Sequence, residues 1–157
     1  MQLTASAWSW LLRSLVARGF ENRDMWTVSN SVGKLVEARL TSTDSHALAA
    51  CLDAIAQTVA RAPHAVVGIL DLSQVRVFGR EDAELILAVM RKDNPRVERT
   101  AIVTNADALL AMQMERLVRA AGLPHRRVFR VATQALSWLS EVLSPEESAR
   151  ARAFMGS

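Results

Sequence analysis

Cysteine is nearly absent from this chain, and its scarcity narrows what the protein can be. The single cysteine, Cys51, excludes a disulfide within the chain and a cysteine-rich metal site. A reducing compartment, the cytoplasm, is therefore the expected location. Cys51 falls on the predicted apolar face of a helix, which favours a small buried side chain over a reactive thiol.

Tyrosine is absent and lysine is scarce, so the positive charge is almost entirely arginine. The only lysines are Lys34 and Lys92, and the formal net charge is +3 although the calculated pI is about 10.0. Arginine does not titrate until very high pH, so the pI overstates how basic the protein is at pH 7. A small net charge without exposed aromatic residues beside a basic cluster argues against nucleic-acid binding.

Long apolar runs are also lacking. No stretch approaches the roughly 20 apolar residues that a membrane span needs. Residues 1–24 predict an amphipathic helix and a linker, and without a basic segment at their start they make a poor signal peptide. This helix could pack on its own domain or on a sister subunit, or it could lie on a membrane surface. Met25 is an alternative start of the protein, and residues 25–157 hold the predicted domain.

The rest of the chain alternates between strand and helix patterns. Residues 26–28 and 34–40 predict a β-hairpin with one face in water, joined by a turn at 30–33. Further strands are predicted at residues 65–71, 99–104 and 127–131. The first two helices are predicted to begin near Ser45, with caps offered by residues 41–44, and near Arg80. Asn105 or Asp107 is the predicted cap of the third helix, and Thr133 is the predicted cap of the fourth. Ser144 opens a capping box for a final helix.

Alternation of this kind predicts a single α/β domain. The sheet should be mixed and mainly parallel, with helices on both faces and extra helices at the two ends of the chain. Residues 65–73 form its centre, because a short β-branched apolar run is typical of a strand buried on both faces. Asp71 falls at the carboxyl end of that strand, where ligands of open α/β sheets usually bind.

Two stretches resemble the STAS-like superfamily over about residues 26–143. Residues 66–75, Val-Val-Gly-Ile-Leu-Asp-Leu-Ser-Gln-Val, are similar to that family's apolar strand ending in Asp-Leu-Ser. Residues 117–123, 128–130 and 135–139 are similar to its closing helix, short strand and final helix. The superfamily includes anti-sigma-factor antagonists, cytoplasmic domains of sulfate transporters and SpoIIAA-like proteins.

The resemblance implies a non-enzymatic regulatory module that acts by protein–protein contact. The alternative that it implies is a module that encloses a small apolar molecule or lipid, as related SpoIIAA-like and CRAL-TRIO-like folds do. Antagonist members carry a phosphorylatable Ser or Thr at the start of the second helix. Residues 78–83, Phe-Gly-Arg-Glu-Asp-Ala, have no hydroxyl there. The carboxylates in this turn are either a permanent charge mimic or complements to the helix dipole.

The connector before the second helix, with that helix's first turn, is the predicted partner site. It is apolar for a loop and lies beside acidic residues that could steer a basic partner, either another protein or a second copy in a homodimer. Asp71 would contact the partner or cap the loop. The predicted contact residues are Asp71, Ser73, Val75, Val77, Phe78, Arg80, Glu81, Asp82 and Glu84.

No catalytic or metal-binding constellation stands out, so neither enzymatic activity nor a cofactor is predicted. Two histidines, His46 and His64, lack a second ligand at metal-binding spacing. A basic cluster that includes Arg126, Arg127 and Arg130 could hold an anion or could be a solvated rim. Met112 and Met114 are interpreted as core-filling residues of the third helix rather than as an adaptable binding face.

Overall fold

A computed structural model describes residues 25–157, so the predicted helix at 1–24 lies outside the described residues. The described part is a single α/β domain with a five-stranded mixed sheet and five α-helices. The strands are β1 (Trp26–Val32), β2 (Leu35–Leu40), β3 (Val66–Asp71), β4 (Val97–Val103) and β5 (Arg126–Phe129). The helices are α1 (Ser45–Arg61), α2 (Arg80–Asp93), α3 (Ala108–Ala121), α4 (Ala132–Ser140) and α5 (Pro145–Met155).

The strands lie in the order in which they occur in the chain, β1-β2-β3-β4-β5. β1 is antiparallel to β2, and all other neighbours are parallel. Right-handed crossovers place α1, α2 and α3 on one face, and these helices share one core cluster. α4 and α5 cover the opposite face. The predicted mixed, mainly parallel sheet with helices on both faces is confirmed.

Several helix ends are built as the sequence predicts. The side chains of Asp44 and Asp107 accept backbone N–H bonds at the starts of α1 and α3, and Ser144 forms a capping box with Glu147 at the start of α5. The predicted cap Thr133 is wrong, since α4 begins at Ala132 and its N-cap, Val131, makes no side-chain bond.

The hairpin differs from its prediction in two ways. β1 continues to Val32, through most of the predicted turn at 30–33, and the turn is formed by Gly33, whose φ is +53°, and Lys34. β2 is an inner strand with both faces covered, so the expected wet face is absent. Its polar residues point toward α5, and Glu37 is only 1% exposed.

Polar contacts at three places fasten α5 to β2 and to the turn before it. The Arg150 guanidinium donates two hydrogen bonds to the Glu37 carboxylate, at 2.7 and 2.9 Å. Arg39 donates to the carbonyl of Phe154 at 2.6 Å. The Lys34 backbone N–H donates to Glu147 at 2.7 Å. Burial raises the pKa of Glu147, but backbone hydrogen bonds from Ser144 and Lys34 outweigh burial and leave that pKa lowered.

None of the helices within residues 25–157 has both the length and the apolar character that crossing a membrane requires.

Candidate functional site

The connector between β3 and α2, residues 72–79, is held in one conformation by two amide side chains. Asn105 donates to the carbonyls of Ser73 and Val75, at 3.1 and 3.2 Å. Gln113 on α3 accepts from the backbone N–H of Phe78 at 2.8 Å and donates to its carbonyl at 2.7 Å. Four hydrogen bonds therefore fix a loop that has no regular secondary structure.

Asp71 is engaged inside the protein. It is buried, its carboxylate accepts from Arg39 Nε at 2.8 Å, and its other oxygen accepts from the Ser73 backbone N–H at 2.9 Å. Both oxygens already have partners, so the side chain acts as a loop cap and an ion-pair partner. Asp71 therefore offers a binding partner little accessible surface.

The apolar residues of the connector divide into buried and exposed ones. Val75 and Phe78 belong to the core, so their predicted role as contact area is corrected. Their apolar character has a packing cause, because the connector closes the end of the core beneath α2 and α3. Val77 points outward and is 42% exposed.

Two apolar residues of α3, near the end of that helix that holds the connector, are also exposed. Leu109 is 63% exposed and Met112 is 60% exposed, and both lie within one turn of Gln113, which holds the connector. We call Val77, Leu109 and Met112 the corner surface. The core-filling interpretation is confirmed for Met114, which is fully buried, and is wrong for Met112. The spacing of three between Leu109 and Met112 on one helix was the available sequence signal.

The first turn of α2 is less acidic in effect than its sequence indicates. Asp82 accepts a hydrogen bond from Ser45 at 3.0 Å, and Glu84 pairs with Arg80 at 3.2 Å. Glu81 is exposed and makes neither kind of contact with the described residues. Gly79 is the N-cap of α2 and carries no side chain, so no hydroxyl group stands at the start of this helix.

The three arginines predicted as an anion site do not converge. Arg126 is buried and donates to Asn94 at 2.8 Å. Arg127 is exposed and stacks over the Trp138 ring, 5.1 Å from its centroid. Arg130 donates to backbone carbonyls of Asn105 and Ala106. Successive residues of a strand point to opposite faces of the sheet, which separates Arg126 from Arg127.

A polar depression of about 380 Å³ lies at the carboxyl edge of the sheet. It brings together predicted residues from both candidate sites, since Asp71 and Ser73 line it together with Arg130. Both Asp71 and Arg130 already make contacts within the protein. The depression is therefore a shallow surface feature with few free polar groups.

A small apolar cavity of about 80 Å³ lies between the sheet and helices α1 and α2. Gly68 lies at its floor, and a Cβ atom there would come within 3.2 Å of the Thr100 hydroxyl. The cavity borders on two separate core clusters. Its lining includes Val36, Leu52, Ile55, Val59, Val66, Ile86, Val89, Met90, Val97 and Ile102.

Two buried charged residues, Asp93 and Arg126, also line this cavity. Asp93 is the last residue of α2, is 8% exposed, and makes no hydrogen bond or close ion pair with the described residues. Burial raises the pKa of Asp93, and the positive charges of Arg126 and Lys92 oppose that rise. Burial lowers the pKa of Arg126, and the charge of Asp93 opposes that fall.

Metal and thiol chemistry find little support among the described residues. No three His, Cys, Asp or Glu side chains within residues 25–157 cluster as metal ligands. Cys51 is buried as predicted, and desolvation raises the pKa of its thiol to about 12. A thiol with that pKa stays protonated near neutral pH and is a poor nucleophile.

Comparison with known proteins adds no further identification, because no protein-family model, characterised protein or solved structure matches this chain.

Proposed function

We propose that this domain is a non-enzymatic regulatory module of the STAS-like type, which works in the cytoplasm by binding another protein. The corner surface and the exposed first turn of α2 form the contact. One observation carries the proposal: a loop that is held by four hydrogen bonds exposes Val77, and the next residue, Phe78, is bonded to Gln113, which lies within one helical turn of the exposed Leu109 and Met112.

Rigidity matters here because a loop that is already ordered loses little conformational entropy when it binds. Three of the six large apolar side chains that are exposed within residues 25–157 belong to this surface, which supports a site of contact over scattered exposure. Charged residues of both signs follow the connector in the first turn of α2, where Arg80 and Glu84 form an exposed ion pair. The partner is therefore expected to bring an apolar patch with a mixed polar rim.

The proposed module has no phosphate switch at the start of α2. Gly79, Arg80, Glu81 and Asp82 occupy that turn and none of them has a hydroxyl group. Binding would accordingly be constitutive, or would be controlled through the partner. A second copy of this chain is the competing occupant of the same surface.

Site-specific photo-crosslinking in living cells tests the proposal. A photoreactive amino acid replaces Val77 or Met112, and Met25, at the start of β1 on the far edge of the sheet, serves as the exposed control. A discrete adduct with one other protein at Val77 and Met112, and none at Met25, is the expected result. An adduct with the mass of two copies of this chain would instead assign the surface to a homodimer. Equal labelling at all three positions would contradict a site at the corner surface.

A further inference from the structure

The cavity between the sheet and helices α1 and α2 carries an inference that is independent of the corner surface. Packed cores hold few voids larger than a water molecule, and here a void of about 80 Å³ meets two buried charged groups. Gly68, in the middle of the central strand, carries no side chain toward this space, and an added Cβ there would lie 3.2 Å from the Thr100 hydroxyl oxygen.

We propose that this cavity is a binding site for a small neutral amphiphile, a compact hydrocarbon body with a single hydroxyl or amide head. The body would lie on Gly68 and the surrounding aliphatic side chains. The head would lie between the Asp93 carboxylate and the Arg126 guanidinium.

Asp93 identifies the polar end of the site. Asp93 as a residue is 8% exposed, and its carboxylate receives no hydrogen bond from the described residues, although its oxygens keep some contact with solvent. Such a group is uncommon, because buried polar groups almost always have partners. Its position at the C-terminal end of α2 adds to the cost, since the helix dipole is negative there. A ligand donor would supply the missing hydrogen bond.

Arg126 supplies the complementary donor. Only one hydrogen bond of its guanidinium is made with the described residues, from Nη1 to Asn94. Arg126 also lines a surface depression beside Gly122 and Pro124, so the polar end of the cavity is the end that neighbours the surface.

The charges of the site select a neutral ligand. Asp93 and Arg126 already balance one another, so a charged ligand would bring an uncompensated charge into an apolar space. A hydroxyl or an amide can donate to the carboxylate and accept from the guanidinium at once. The volume is close to that of three water molecules in the liquid, which limits the ligand to about three to five non-hydrogen atoms.

Titration of the full chain with each of three probes, 2-propanol, propionamide and xenon, tests the inference. The methyl NMR signals of residues 25–157 report where each probe binds. The first two should shift the methyl signals of Ile55, Ile86 and Val97 saturably, with dissociation constants on the order of 1 mM, as expected for ligands of so few atoms. Xenon has no polar head and reports the apolar space alone.

Two kinds of variant separate the body of the site from its head. Gly68→Ala fills the floor of the cavity and should raise the dissociation constants of all three probes at least about fivefold. Since Thr100 must move to accept that methyl group, Val97→Ile is a second filling variant that leaves the glycine in place. Asp93→Leu should raise the dissociation constants of 2-propanol and propionamide to a similar degree, while the binding of xenon persists.

Several results would overturn the inference. Binding of xenon without either polar probe would identify a dry packing void. Shifts that survive both filling variants would place the probes elsewhere, and an absence of saturable shifts would leave water as the occupant. Equal affinity of the polar probes for the original protein and for Asp93→Leu would show that Asp93 does not bind the polar head of the ligand.

Discussion

At the scale of single residues, buried charge divides into satisfied groups and one exception. Glu37, Asp71 and Glu147 each accept hydrogen bonds within the domain, from Arg150, Arg39 and the backbone respectively. Asp93 has no such bond within residues 25–157. Satisfied groups fix the register of neighbouring elements, whereas an unsatisfied one opposes folding and therefore points to another role.

The raised pKa of Asp93 gives the domain a specific dependence on pH. The folded state binds a proton at a higher pH than the unfolded chain does, so stability falls as pH rises between the unfolded pKa, about 3.9, and the folded pKa. Asp93→Asn is expected to raise the Tm at pH 7 by about 1–4 °C, and the gain should vanish below pH 4. Arg126 and Lys92 face the same group and limit the gain.

Thermal unfolding followed by circular dichroism from pH 3.5 to 7 measures this effect, with Asp53→Asn on the exposed face of α1 as the control. A Tm at pH 7 that Asp93→Asn leaves unchanged or lowers would show that the carboxylate is satisfied.

Gly33 combines a left-handed backbone with a close neighbour. Its φ is +53°, and a Cβ there would overlap the Glu147 carboxylate that holds the Lys34 backbone. Gly33→Ala is expected to destabilise the domain by more than the 1–2 kcal/mol or so that left-handed strain costs alone. Gly122→Ala is the matched control, because φ is +83° and nothing lies within 4 Å of the added atom. Urea denaturation compares the two, and equal losses would contradict the role of Glu147.

Residue roles were predictable from the sequence where they depend on local chemistry. The caps Asp44, Asp107 and Ser144 follow from the side chain and the next few residues. The burial of Phe78 and the exposure of Met112 were missed, because both depend on how the connector meets α3, and the spacing between Leu109 and Met112 was the one local sign of an exposed face. Asp93 gave no local signal, since the charge that it interacts with, Arg126, lies on a strand 33 residues later in the chain.

At the scale of elements, β2 and α5 form a unit that local patterns misrepresent. Polar residues alternate along β2, and this pattern is typical of a strand with one face in water. Glu37 and Arg39 instead pair with α5, which lies about 110 residues away in the chain. An alternating pattern cannot distinguish water from a polar partner of this kind.

The Glu37–Arg150 pair should show a characteristic order of mutational effects. Arg150→Met alone leaves a buried carboxylate without its partner and is expected to lower the Tm clearly. Adding Glu37→Leu removes that carboxylate and should restore more than half of the lost Tm. A thermal-unfolding double-mutant cycle measures both steps, and a further loss in the double variant would contradict the account.

At the scale of the whole molecule, strand order decides where a site can form. Parallel strands β2 to β5 follow one another without reversal, so the sheet has no switch point at which a crevice opens between its strands. The alternation of strands and helices made this α/β architecture predictable. The corner surface and the cavity were not, since each depends on gaps and contacts between three elements.

Binding through the corner surface is the central claim, and calorimetric titration of the crosslinked partner tests it most directly. Val77→Asp together with Met112→Asp places two charges in the proposed contact and should raise the dissociation constant at least about tenfold. Met25→Asp, an equally polar change at an exposed apolar site, should alter it less than about twofold. An unchanged affinity in the double variant, with its unfolding transition intact, would contradict the claim.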